Sequence, residues 1–149
     1  MNIYVGADHN GFHLKASLVR YLKSAGYDFV DEGDVSFNPE DDYPIYAARV
    51  VNAMLQDTSS GPKGILICGS GQGMAIAANR FKGIRACLGY DIESVRSARN
   101  DDDCNILCLP AKILVTDEAT SIVEAFLHTP FAAAPRFKRR NRELDEMIS

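Results

Sequence analysis

Gly64-Ile65-Leu66-Ile67-Cys68-Gly69-Ser70-Gly71-Gln72-Gly73-Met74 is the stretch that settles the architecture. Residues 64–68 form an unbroken apolar run, which suits a strand covered on both faces. Three glycines in the next five positions let the backbone turn sharply. A helix rich in small residues is expected to follow, from Met74 to about Arg80.

The same alternation extends in both directions. Upstream, Ile3-Tyr4-Val5 reads as a short strand, and Leu14, Leu18, Tyr21, Leu22 and Ala25 repeat at helical spacing before Gly26. Tyr27 to Val30 reads as a second strand. A polar loop spans Gly33 to Asp42, and Pro44 suits the first turn of a helix with Ala47, Val51, Met54 and Leu55 on its apolar face. Ser59-Ser60-Gly61-Pro62 breaks that helix before the central strand.

Downstream, Ile84 to Leu88 reads as the fourth strand, and Asp91 caps a helix running to about Arg99. Asn105 to Leu109 is the fifth strand. Thr116 is expected to cap a helix striped by Ala119, Ile122, Val123, Phe126 and Leu127, and Thr129-Pro130 ends it. A last helix over about 135–148 carries Leu144, Met147 and Ile148. The rhythm predicts an α/β protein: a Rossmann-like three-layer α/β/α sandwich with a five-stranded parallel sheet, in one domain over 1–149.

Bulk properties narrow the functions. The chain has 149 residues, 46 % hydrophobic and 24 % charged, and no apolar run approaches the length of a membrane span. Met1 to Val5 lacks the pattern of a signal peptide, so a cytoplasmic location is expected. A net charge of −4 argues against nucleic-acid binding by the whole surface. Cys68, Cys87, Cys104 and Cys108 form no CxxC pair, so neither a zinc ribbon nor a dithiol redox site is expected, and no disulfide in a reducing compartment.

Ligands of open parallel sheets bind at the carboxyl ends of the strands. The reading places three segments there: Asp8-His9-Asn10-Gly11, Cys68 to Met74, and Arg99 to Asn105. In the second, exposed N–H groups at a helix start suit an anion or a developing oxyanion, and the helix dipole favours thiolate at Cys68. Ser70 is placed to donate to that sulfur or to hold substrate. The same residues also suit a plain tight turn beside a buried cysteine. Asp8 and His9 suit proton transfer or hydroxyl binding, or else simply cap the helix that follows. Arg136 and Arg140 are four apart within Pro135-Arg136-Phe137-Lys138-Arg139-Arg140-Asn141-Arg142. They share one helix face, which suits a phosphate clamp as well as a solvated basic end. His13 and His128 are given no catalytic role.

Taken in order, these segments resemble the type B ribose-5-phosphate isomerase family, which includes the galactose-6-phosphate isomerase subunits. The resemblance spans essentially the whole chain. It rests on Gly6-Ala7-Asp8-His9 with Gly11-Phe12, Asp42-Tyr43-Pro44, Gly64 to Gly71, Ile76-Ala77-Ala78-Asn79-Arg80 and Gly83-Ile84-Arg85-Ala86. It implies an aldose–ketose isomerase that needs no metal or other cofactor and works through a cis-enediolate. Cys68 would be the base and Ser70 the hydroxyl beside it. Gly69, Gly71, Gln72, Gly73 and Met74 would hold the substrate oxygens through the backbone. Asp8 and His9 would contact sugar hydroxyls or phosphate, Arg136 and Arg140 would bind phosphate, and Asn79 would lend support. The resemblance also implies a homodimer or homotetramer with shared active sites and a C-terminal helix packed on a partner. Neither nucleic acid nor membrane is an expected partner.

Four positions depart from the family pattern. Asp101 stands where a ring-opening histidine is usual and Asp102 where asparagine is usual, within Arg99-Asn100-Asp101-Asp102-Asp103-Cys104-Asn105. Lys112 replaces an arginine, and Phe137 a residue that is often histidine. Asp101 is kept as a catalytic candidate, with Asp102 and Lys112 as substrate-binding ones. The substitutions leave open a tetrose 4-phosphate, which needs no ring opening, or a hexose 6-phosphate. They also leave open a binding protein without turnover. A flavodoxin-like binder fits less well, because no dinucleotide fingerprint is present.

Overall fold

The computed structural model describes residues 1–148. Five strands alternate with six helices: β1 (Ile3–Ala7), α1 (Phe12–Ser24), β2 (Phe29–Asp31), α2 (Tyr43–Gln56), β3 (Lys63–Cys68), α3 (Gln72–Ala78), β4 (Ala86–Leu88), α4 (Ile92–Asp102), β5 (Ile106–Pro110), α5 (Thr116–His128) and α6 (Pro135–Glu146). Every strand pair is parallel, in the order β2-β1-β3-β5-β4. The α/β sandwich is therefore the architecture expected.

The apolar run of β3 lies at the centre of the sheet because it is buried on both sides. Ile65 and Ile67 face a core made with Leu18, Leu107, Ile122 and Phe126, from α1, β5 and α5. Leu66 and Cys68 face the other, made with Val50, Met54, Met74 and Ile106. Each fully buried aliphatic side chain contributes about 1.5–3 kcal/mol, so the two layers clamp the sheet from opposite sides.

Several boundaries differ from expectation: β2 spans Phe29–Asp31 rather than 27–30, β4 begins at Ala86 rather than Ile84, and α4 runs to Asp102 rather than about Arg99. Helix α3 stops at Ala78 rather than Arg80, and Asn79 folds back instead: its side chain donates to Ala86 O at 2.9 Å and accepts Ala86 N–H at 2.8 Å. Asn79 thus braces the start of β4 and is not a support for the glycine loop. Val115, not Thr116, occupies the cap of α5, and Glu118 Oε1 accepts the Val115 N–H at 3.2 Å. Helix α6 ends at Glu146, and none of its residues is buried.

The largest correction concerns Arg99 to Asn105. This segment precedes β5, so it lies at the amino edge of the sheet. Gly64 pairs with Ile106 at that edge, whereas Cys68 pairs with Pro110 at the carboxyl edge. Four residues of strand, about 13 Å, separate the two levels. Arg85, just before β4, donates to Asp102 O at 2.9 Å, which holds the aspartate segment down at that level.

Candidate active site

Cys68 ends β3 and is 5 % exposed. Its carbonyl accepts Ala111 N–H at 2.9 Å, and the Gly69 carbonyl accepts Lys112 N–H at 3.0 Å. These bonds carry β5 past the end of the sheet and bring Lys112 over the glycine loop. On the other side, Asp8 N–H donates to Ile67 O at 3.2 Å. Three strand ends are thereby laced together around one opening.

The glycine turn works because one of its residues is left-handed. Gly71 has φ 76°, and a Cβ there would meet Leu88 Cδ1 at 2.5 Å. Helix α3 then begins, and its first intrahelical bond runs from Ala75 N–H to Gly71 O. The N–H groups of Gly73 and Met74 therefore have no acceptor within the helix. Ser70 is exposed, and its Oγ accepts Gln72 N–H at 3.3 Å rather than donating to the Cys68 sulfur. The Met74 side chain is wholly buried in the core, so only its backbone can face a ligand.

Asp8 is 5 % exposed, and its Oδ1 accepts N–H groups from Asn10 at 2.9 Å and Gly11 at 3.2 Å. Burial pushes the Asp8 carboxyl up from its ordinary value, against the opposing pull of those N–H groups and of His9. His9 itself is bound to Asp41: Asp41 Oδ1 accepts the His9 backbone N–H at 2.9 Å and lies 2.7 Å from ring Nδ1. Asp8, His9 and Asp41 offer ligand atoms within 4.8 Å of one another, the one such trio among the described residues. A 2.7 Å N···O separation is a hydrogen bond between two of those atoms, which commits them to each other.

A cavity of about 230 Å³ opens at this edge, lined by Asp8, Asn10, Tyr43, Cys68, Gly69, Ser70, Gly73 and Lys112. Six of these were singled out from sequence. Asn10 and Tyr43 were not given roles, although both lie inside the quoted motifs, next to Asp8-His9 and before Pro44. His9, Gly71, Gln72 and Met74 flank the cavity without lining it. Asp101, Asp102, Arg136 and Arg140 lie elsewhere. Asp101 Oδ1 accepts from the Asn100 side chain at 2.8 Å, and Asp102 lines a separate hollow with Leu144 of α6 and Met147 just after it. Helix α6 is tied to that amino edge, because Gly83 N–H donates to Asp145 Oδ1 at 3.0 Å and Ala132 N–H donates to Asn100 O at 3.0 Å. Arg136 and Arg140 are exposed on α6, with the Arg136 guanidinium 4.4 Å from the centre of the Phe137 ring.

Residues 3–144 match the family model described as Ribose/Galactose Isomerase. The chain belongs to the ribose/galactose isomerase family. A Mycoplasma pneumoniae protein named probable ribose-5-phosphate isomerase B is 39 % identical over 92 % of this chain and 89 % of its own. The Thermotoga maritima ribose 5-phosphate isomerase structure superposes with a TM-score of 0.91 at 41 % identity, covering 97 % of each chain. The Mycoplasma genitalium ribose-5-phosphate isomerase B, solved with bound ribulose-5-phosphate, gives a TM-score of 0.92 at 35 % identity over 98 % of this chain and 95 % of that one. The chain is thus an enzyme of the sugar isomerase class, as the resemblance implied. No described helix is long and apolar enough to cross a membrane.

Proposed function

We propose that the protein interconverts ribose 5-phosphate and ribulose 5-phosphate through a cis-enediolate, with Cys68 as the base. The observation that carries this reading is the meeting of Cys68, the Gly69–Gly73 turn, Asp8 and Lys112 around one cavity at the carboxyl edge. Cys68 as thiolate takes the C2 proton of the open-chain aldose, and the C2–H electron pair becomes the C1=C2 bond of the enediolate. The O2–H proton passes to O1, and delivery of the carbon-bound proton to C1 as the C2=O bond forms gives the ketose. The free N–H groups of Gly73 and Met74 stabilise the negative oxygen, and the Lys112 ammonium offsets the remaining charge. Ser70 supplies a hydroxyl to the substrate oxygens, and the buried Asp8 carboxylate accepts from a sugar hydroxyl.

We further propose that a second copy of the chain completes the site. A cavity of about 230 Å³ falls below the 300–1,000 Å³ usual for small-molecule sites. The basic pair Arg136 and Arg140 lies on α6, a helix with no buried residue that is tied to the amino edge, where Asp101 and Asp102 end α4. Leu144 on α6 and Met147 just beyond it are 45 % and 81 % exposed, an apolar face that a neighbouring subunit covers in this reading. In a homodimer the amino edge of one copy then faces the carboxyl edge of the other. The location assigned is the cytoplasm.

A second reading, a tetrose 4-phosphate substrate, is favoured by Asp101 at the position of the family's ring-opening histidine. The test is deuterium exchange in heavy water, followed by NMR, with ribose 5-phosphate, a hexose 6-phosphate and a tetrulose 4-phosphate. Exchange with ribose 5-phosphate that disappears in Cys68→Ala supports the first reading. Faster exchange with the tetrulose phosphate moves the substrate, and full exchange in Cys68→Ala removes Cys68 as the base.

A further inference from the structure

Asp41 lies on the long loop before α2, 32 residues from His9 in sequence, and one of its oxygens meets His9 twice. The contact to the His9 backbone N–H, 2.9 Å long, fixes the carboxylate whatever the ring does. The same oxygen lies 2.7 Å from Nδ1. A carboxylate only accepts, so Nδ1 carries the proton and Nε2 is the nitrogen left for a ligand. The Asp41 side chain is 7 % exposed and that of His9 30 %, which puts the carboxylate inside and leaves the imidazole partly open to solvent. His9 stands between Asp8 and Asn10, both of which line the Cys68 cavity, and Asp41 is two residues before Tyr43, which lines it too.

We propose that Asp41 is a positioning residue: it holds His9 by Nδ1 so that Nε2 is presented to the phosphate of the substrate. The inference rests on the isomerase reading for the identity of that phosphate. With Nδ1–H given to Asp41, His9 binds a phosphate dianion by donating from Nε2 as well, an imidazolium held between two anions. The charged groups facing the ring are Asp41, from the α2 loop, and Asp8, from the end of β1. A ring without Asp41 is free to turn over and to protonate on either nitrogen, and the aim of Nε2 is lost.

The experiment is a long-range proton–nitrogen imidazole spectrum of the full-length protein, titrated with inorganic phosphate. The chain has three histidines, and His9→Gln assigns the signal of interest. The neutral ring of His9 is expected as the Nδ1–H tautomer in wild type and to gain a second N–H signal when phosphate binds. A wild-type ring in the Nε2–H tautomer overturns the proposal, whatever the variants do. In turnover, Asp41→Ala is expected to raise KM about tenfold with kcat within about threefold, the pattern of lost uniform binding. Asp41→Asn keeps an amide oxygen for the same two N–H groups and is expected to restore KM to within about threefold of wild type. Asp41→Ala with wild-type KM and spectrum overturns the proposal. A protein whose His9 behaves as described but which turns over no sugar phosphate defeats the isomerase reading alone.

Discussion

Gly73 lies against the hydroxyl end of the Tyr43 ring, so close that a Cβ at position 73 would sit 2.7 Å from Tyr43 Cζ. The glycine loop and the α2 loop are thus in contact through a missing side chain. Gly73→Ala is expected to drive the ring out of place and lower kcat/KM about tenfold or more, since small misplacements near reacting atoms are costly. Stability should change by less than about 1 kcal/mol, because alanine favours the helix by a similar amount. Steady-state kinetics beside thermal unfolding checks both halves.

Asp8 carries a prediction with an unusual sign. Burial raises its carboxyl above the ordinary value of 3.8, so the folded state holds this proton more tightly than the unfolded chain does. The contribution of Asp8 to stability is then largest in acid and falls as pH rises from the ordinary carboxylate range through the raised one. Asp8→Asn keeps an oxygen for the Asn10 and Gly11 N–H groups and removes the buried charge. The variant is expected to melt above wild type at pH 7, with the gap closing toward about pH 4. Activity should be lost at every pH. Melting curves across pH decide it, and an Asp8→Asn variant that melts below wild type at pH 7 contradicts it.

Arg99, 6 % exposed, spans three segments: it donates to Asp103 Oδ1 at 2.7 Å, to Cys104 O at 2.6 Å and to Thr129 O at 3.2 Å. Arg85 grips the other oxygen of Asp103 at 3.3 Å. Asp103→Ala leaves a buried guanidinium short of its counter-charge and is expected to cost about 3 kcal/mol. Asp103→Asn should cost less, since asparagine tolerates the φ of 49° found there. Urea unfolding of both variants gives the comparison.

Sharing of the site between copies is open to a mixing test. Cys68→Ala and the double variant Arg136→Ala/Arg140→Ala are each expected to be nearly inactive alone. A heterodimer of the two has one site with every native residue. Random exchange of subunits in a two-fold dimer should therefore restore about a quarter of wild-type activity. No recovery on co-refolding would place all the machinery within one chain.

The sheet was legible because its burial is written in composition. A strand covered on both faces needs an unbroken apolar run, and residues 64–68 and 105–109 supply one almost without interruption. Cys68, the glycine turn and Asp8 were found for a related reason, since residues that follow a strand must surface at its carboxyl edge; Lys112 came from the family resemblance. Arg99 to Asn105 was misplaced when the same rule was applied to a segment that follows a helix. Tyr43 and Asp41 escaped because their positions depend on how the 33–42 loop crosses the β1 end, a tertiary path with no local period. The cap of α5 escaped as well: Thr116 is the first helical residue, and Glu118 reaches back to accept the Val115 N–H, a bond that a search for a capping hydroxyl does not look for.

The turn after Cys68 offers main-chain groups, and main-chain groups are shared by all residues. Drift in sequence can therefore abolish the turn by adding bulk at Gly71 or Gly73, but it cannot retune those donors one at a time. Divergence among descendants of this scaffold is confined to the side chains around the rim, Asn10, Tyr43 and Lys112 among them. A lineage can thus remodel the rim while inheriting the turn and its donors unaltered.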